Sequence, residues 1–139
     1  MNYMDEKSLV QTAIQMTAKS YAPYSHFHVG AALLGKDGKV YTGCNVENAA
    51  YGPSNCAERT AVFKAVSEGC RDFEAIAIAG GLEDESGKPQ IKDFCPPCGV
   101  CRQVLAEFCD KDFKIYLTDG SGNIKEFTLG QLLPESFSL

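Results

Sequence analysis

Cys56-Ala57-Glu58-Arg59-Thr60-Ala61-Val62, followed well downstream by Pro97-Cys98-Gly99-Val100-Cys101, places three thiols and one carboxylate where two helices begin. Pro96 and Pro97 stop any helix before them, and a proline is tolerated at a helix entrance, where its missing N–H would be unpaired anyway. The run from Cys98 to Phe108 then carries Val100, Val104, Leu105 and Phe108 at helical spacing, and a three-residue step puts Cys98 and Cys101 on one face. Cys56 likewise opens an apolar-periodic run, Ala57, Ala61, Val62, Ala65 and Val66, which Gly69 ends as a C-terminal cap. Helix starts stabilise anions and lower thiol pKa values, which favours the thiolate form that a metal needs.

Zinc takes four tetrahedral partners; a structural site fills all four with protein, whereas a catalytic site leaves the last to water. Here Cys56, Cys98 and Cys101 supply three, with Glu58 beside them as a non-ligand acid. The competing arrangement is internal. Cys95-Pro96-Pro97-Cys98 is also a Cys-x-x-Cys, and Cys95 would close a four-thiolate structural site. Against closure, the two stiff prolines point Cys95 away from the turn carrying Cys98 and Cys101, and a closed site leaves Glu58 without a task. Arg59, three residues after Cys56, is either a donor of charge-assisted hydrogen bonds to the sulfurs or a solvated helix arginine; spacing alone admits both.

Around this centre the chain alternates helices and strands. Val10, Ala13, Ile14, Ala18 and Tyr21 mark an amphipathic first helix that Pro23 ends. Val29 to Leu34 and Val40 to Thr42 read as a hairpin about Gly35-Lys36-Asp37-Gly38. Phe73 and Ala75 to Ala79 form a continuous apolar strand of the kind buried on both faces. Gly80 to Pro97, rich in Gly, Asp, Glu and Pro, reads as one long irregular surface stretch beside the site. Lys114 to Thr118 and Ile124 to Thr128 flank Asp119-Gly120-Ser121-Gly122-Asn123 as a hairpin or crossover, and Leu129 to Leu133 is a short helix before Pro134. His26 and His28, either side of Phe27, read as partly exposed edge residues, and Cys44, Cys70, Cys95 and Cys109 as packed or surface thiols.

At 139 residues the chain fits a single domain over 1–139 with room for a real core. A net charge of -5 with no Lys/Arg cluster argues against a nucleic-acid partner. Apolar runs fall far short of the roughly 20 residues of a membrane span. The N-terminus, Met1-Asn2-Tyr3-Met4-Asp5-Glu6, lacks a basic segment followed by an apolar one, and the seven cysteines are an odd number. A reducing cytoplasm is the expected compartment.

Asn45-Val46-Glu47-Asn48-Ala49-Ala50-Tyr51 running into Cys56-Ala57-Glu58-Arg59-Thr60-Ala61, with Pro97-Cys98-x-x-Cys101-Arg102-Gln103-Val104-Leu105, closely resembles the small cytidine deaminases of nucleoside salvage. The likeness runs from Tyr21-Ala22-Pro23-Tyr24-Ser25 to Leu132-Leu133-Pro134. The zinc deaminases usually have histidine as first ligand; Cys56 stands there instead and resembles the three-cysteine branch. The resemblance implies an α/β fold, a three-layer α/β/α sandwich around a five-stranded mixed sheet. It implies hydrolysis of cytidine and deoxycytidine to uridine and deoxyuridine plus ammonia, with one Zn2+ per chain on Cys56, Cys98 and Cys101. Glu58 would be the proton shuttle, the Ala57 N–H a partner of the ring carbonyl, Asn45 and Glu47 the readers of sugar hydroxyls, and Phe27 the aromatic packed on the base. It further implies a homotetramer in which Ala49 and Tyr51 reach a neighbour's pocket and Phe137 helps to cover the base. Arg59 would be the donor to the sulfurs. Taken alone, an Asn and a Glu at a strand end are usually surface residues, and a phenylalanine entering a strand is usually core.

Overall fold

Asp5 opens the first helix, its Oδ1 accepting from Ser8 N at 2.8 Å, and Leu9, Val10 and Ala13 on the buried face of this helix, α1 (Glu6–Met16), dock it on the sheet. The computed structural model describes residues 4–139; Met1-Asn2-Tyr3, part of the N-terminal stretch read for a leader, lies outside the described residues. The helix ends earlier than its periodicity predicts. After Met16 the chain tightens into a 3₁₀ turn, Thr17–Lys19, and Tyr21 is extended and exposed, bridging Val46. The reason is competition for the backbone: Tyr21 N donates to Asn45 O at 3.0 Å and Tyr21 O accepts from Glu47 N at 2.9 Å, bonds a helix could not spare.

Five strands follow: β1 (Phe27–Gly35), β2 (Val40–Cys44), β3 (Phe73–Leu82), β4 (Lys114–Thr118) and β5 (Ile124–Thr128). They lie in the order β2-β1-β3-β4-β5, with β3 and β4 parallel and every other pair antiparallel. The β1–β2 turn is closed by Gly38 N donating to Gly35 O at 3.0 Å, with Gly38 at φ +84°. β4 and β5 form a hairpin.

Helices α2 (Ala57–Ser67), α3 (Gly99–Phe108) and the short α4 (Leu129–Leu132) cover one face, and α1 covers the other. β3 shows how one strand serves both. Ile76 and Ile78 point into the core with Ala61, Val62 and Leu105, while Ala75, Ala77 and Ala79 face α1. Each fully buried isoleucine or leucine stabilises the fold by about 1.5–3 kcal/mol. The result is the α/β/α sandwich with a five-stranded mixed sheet.

Three sequence expectations need correction here. β3 continues through Gly80, Gly81 and Leu82, so the irregular stretch begins later than Gly80. Gly81 pairs with His28 and accepts the 83–90 loop so closely that a Cβ on it would lie 1.9 Å from Gln90 O. His28 therefore sits on an interior strand and is largely buried, rather than on an edge. On α3, Val100 is 57% exposed, and the buried side of that helix is Cys101 and Leu105.

β2 and β3 both run antiparallel to β1, so their carboxyl ends share one edge of the sheet, and the chain leads from those ends into α2 and α3. Ligand sites of open α/β sheets form outside such strand ends.

Candidate active site

The two helix starts bring the predicted thiols together. Cys56 is the N-cap of α2, extended at φ -78°, with its sulfur free of capping bonds; Cys98 is the N-cap of α3 and its sulfur accepts from Cys101 N at 3.5 Å. Cys56 Sγ lies 3.7 Å from Cys98 Sγ, and Cys98 Sγ 3.3 Å from Cys101 Sγ. All three sulfurs fall within 4.8 Å of one another, the one such ligand group among the described residues. With Zn–S bonds of about 2.3 Å, a tetrahedron has S···S edges of about 3.8 Å. The Cys56–Cys98 edge already matches, and the Cys98–Cys101 pair needs only to open slightly. Three soft donors at this spacing fit zinc and leave one tetrahedral position open.

Arg59 resolves in favour of the sulfurs: its Nη2 donates to Cys56 Sγ at 3.3 Å. The Cys56 thiol is held down at about 5, by its hydrogen bond with Cys101 first and by Arg59 next. The same Cys56–Cys101 hydrogen bond, together with burial, pushes Cys101 upward, so negative charge settles on Cys56. Glu58, the second residue of α2, is only 4% exposed. Burial raises its carboxyl to about 7, with the negative charge on Cys56 adding to the effect. A carboxyl in that range holds or releases a proton near neutrality.

A cavity of about 340 Å³ opens over these groups, lined among others by Asn45, Glu47, Tyr51, Ala57, Glu58 and Cys95. Ala57 heads α2 there and is fully buried. Asn45 is nearly buried and heavily engaged. Its Oδ1 accepts from Val29 N at 2.9 Å and from the Ser20 hydroxyl, and its Nδ2 donates to Phe27 O at 2.8 Å. Glu47 Oε1 accepts from Tyr24 N and Ser25 N, both at 3.0 Å, and Oε2 accepts from the Ser25 hydroxyl. Ser20, Tyr24 and Ser25 were not predicted as parts of the site. The signal for Tyr24 and Ser25 was the Tyr21-Ala22-Pro23-Tyr24-Ser25 motif, whose proline enforces the turn that presents two amides in succession.

Other predicted residues lie further out. Phe27 lines a separate cavity with Gly80 and Phe94, its ring and the Cys95 sulfur both closing on Gly80. Ala49 is exposed and Tyr51, at the cavity rim, is 95% exposed. Phe137 is 70% exposed and its carbonyl accepts from Gln103 Nε2 at 3.2 Å. Cys95 stands outside the sulfur group but on the cavity wall, and burial raises its thiol to about 12.

Residues 4–117 match the family model described as the cytidine and deoxycytidylate deaminase zinc-binding region. A cytidine deaminase of Halalkalibacterium halodurans is 52% identical over 97% of this chain and 96% of its own length, and one of Sporosarcina psychrophila 48% identical over 97% and 93%. The crystal structure of cytidine deaminase from Burkholderia pseudomallei superposes with a TM-score of 0.84 at 45% identity, covering 96% of this chain and all of that one. With three thiols gathered beside a buried glutamate at the strand ends of the same fold, the chain belongs to the cytidine and deoxycytidylate deaminase family.

Proposed function

We propose that this chain, acting as a single domain over 1–139, deaminates cytidine and deoxycytidine hydrolytically to uridine and deoxyuridine with release of ammonia, in pyrimidine salvage in the cytoplasm. The observation that carries the reading is the buried Glu58, which lines one cavity with Cys56 and Cys98, the two thiols that group with Cys101. One Zn2+ held by those three sulfurs would supply a water acidified towards neutrality. Glu58 takes a proton from that water and passes it to N3 of the cytosine ring as oxygen adds at C4. Glu58 then takes the proton of the new C4 hydroxyl and delivers it to the exocyclic nitrogen, so the C4–N bond breaks, ammonia leaves and the ring keeps the C4 carbonyl. The Ala57 N–H, at the positive end of α2, orients the ring carbonyl. Arg59 offsets the charge of three thiolates.

Glu47 and Asn45 receive the sugar hydroxyls, Glu47 through Oε2 in particular because Oε1 is already occupied by two amides. The exposed Tyr51 and Phe137 support a homotetramer in which each pocket is completed by a neighbour, Ala49 and Tyr51 entering from one side and Phe137 covering the base, with Phe27 packing on it. The partner is a free nucleoside, not a nucleic acid or a membrane: net charge is -5, and no helix of the described residues is long and apolar enough to cross a bilayer. The decisive experiment incubates zinc-loaded protein with cytidine, deoxycytidine, cytosine and cytidine monophosphate, following ammonia and the loss of cytosine absorbance. Turnover of the two nucleosides alone is expected; ammonia from none of the four would overturn the reading.

A further inference from the structure

Glu83 follows directly on β3, and its carboxylate meets two imidazoles. Oε1 contacts His26 Nδ1, and Oε2 lies 3.7 Å from His28 Nε2. The main chain is tied at the same point, with Glu83 N donating to His26 O at 3.0 Å. His26 holds φ at 59°, in the left-handed region that residues with side chains seldom occupy. Such a conformation persists only where the surroundings enforce it. Here the Glu83 bonds to the ring and carbonyl do so, with His26 N donating to Ala22 O at 3.0 Å. The His28 side chain beside it is 12% exposed, and neither of its ring nitrogens has a hydrogen-bond partner.

The two residues immediately before His26 are the ones that hold Glu47. Tyr24 N and Ser25 N saturate Glu47 Oε1, and the Ser25 hydroxyl, itself accepting from Phe27 N at 3.0 Å, donates to Oε2. A shift of the turn at His26 would move both amides together. We infer that Glu83 is a positioning residue for the sugar end of the pocket: by fixing His26 in its left-handed turn it holds the Tyr24 and Ser25 amides, and through them the Glu47 carboxylate, in the orientation that meets a ribose hydroxyl. This rests on the reading of Glu47 as a sugar-binding residue. Glu83 lies outside the cavity that Glu47, Glu58 and Cys56 line, so its loss acts on substrate affinity and leaves the chemical step and the thiols alone.

The test is steady-state kinetics on the zinc-loaded full chain with cytidine and with 2′,3′-dideoxycytidine, for Glu83→Ala, Glu83→Gln, His26→Gly and, as reference, Glu47→Ala. Glycine takes the left-handed turn without steric cost, so His26→Gly removes the ring contact while keeping the backbone accessible. Glu83→Ala and His26→Gly should raise KM for cytidine about 5- to 20-fold, with kcat within about twofold and zinc content unchanged, and leave KM for the dideoxy analogue within about twofold. Glu83→Gln should recover most of the loss, because its amide oxygen still accepts from the imidazole N–H. A Glu47→Ala defect that depends on the hydroxyls, alongside Glu83 and His26 variants whose defects do not, would overturn the positioning role and leave the sugar reading standing. A Glu47→Ala defect equal on both substrates would remove the sugar reading and this inference with it. Should Glu83→Ala fail to fold, His26→Gly and Glu83→Gln decide the matter by the same comparison.

Discussion

A Cβ on Gly43 would lie 2.3 Å from the Ala57 carbonyl oxygen. The first turn of α2, which carries Cys56, Glu58 and Arg59, thus rests on the bare backbone of β2, and the same imagined atom would also stand 2.6 Å from Ala61 N. The depth of this first turn relative to Asn45, two residues beyond Gly43 along the chain, is therefore set by a missing side chain.

Gly43→Ala should destabilise the protein by about 1–3 kcal/mol through overpacking and, per folded molecule, lower kcat by displacing Glu58. Gly30→Ala is the matched control, since its Cβ would meet Ala13 O at 2.1 Å under α1, on the opposite face. It should lose comparable stability with kcat unchanged. Denaturant titration with activity normalised to folded protein separates the two, and equal kinetic losses would show that this packing does not place the site.

Metal analysis of single Cys→Ser variants should show zinc lost or much reduced for Cys56, Cys98 and Cys101 and retained for Cys95. The Cys95 thiol lies outside the group formed by the other three sulfurs. Zinc loss in Cys95→Ser alone would reinstate a closed four-thiolate site.

Asn45→Ala and Glu47→Ala should separate in stability. Truncating Asn45 strips partners from Val29 N and Phe27 O inside the fold, a cost of about 1–3 kcal/mol, whereas the Glu47 contacts lie nearer the surface. Thermal melts should therefore show the larger loss for Asn45→Ala. Equal melts would mean that water replaces the Asn45 amide without penalty.

Glu58→Gln should keep zinc and fold while lowering kcat at least about 10²-fold, as general acid/base loss does. Tyr51→Ala should be impaired separately if the exposed ring completes a neighbouring pocket. Mixed oligomers of the two variants should then regain activity, because some pockets receive an intact residue from each partner. No rescue in verified mixed assemblies, or a fully active monomer in sedimentation and dilution assays, would sink the shared site.

Much of the centre was legible because it is written in short-range spacing. The helix starts at Cys56 and Cys98 follow from prolines, apolar period and a three-residue step, and the β4–β5 hairpin from the glycine-bearing turn between Thr118 and Ile124. The role proposed for Glu58 is readable only from the cysteine two positions before it. Arg59 was not decided by spacing, since a helix position fixes which turn a guanidinium leaves from and not whether it bends back to a sulfur; the 3.3 Å contact with Cys56 decides it.

Tertiary contacts settled what local patterns could not. Periodicity carried the first helix to Tyr21, but the backbone bonds of Tyr21 with Asn45 and Glu47 claim that residue for an extended bridge. Gly80 and Gly81 read as loop, yet they continue β3, because the long loop packs Cys95 and Gln90 where their side chains would be. His28 read as an edge residue until strand order placed β1 between β2 and β3. Residue type and spacing determined which groups sit at the starts of α2 and α3, since those depend on neighbours a few positions away. Which side chains face one another across the sheet edge, Glu83 with His26 or Glu47 with Ser25, was decided only by the fold, because those pairs are brought together by strand order rather than by sequence.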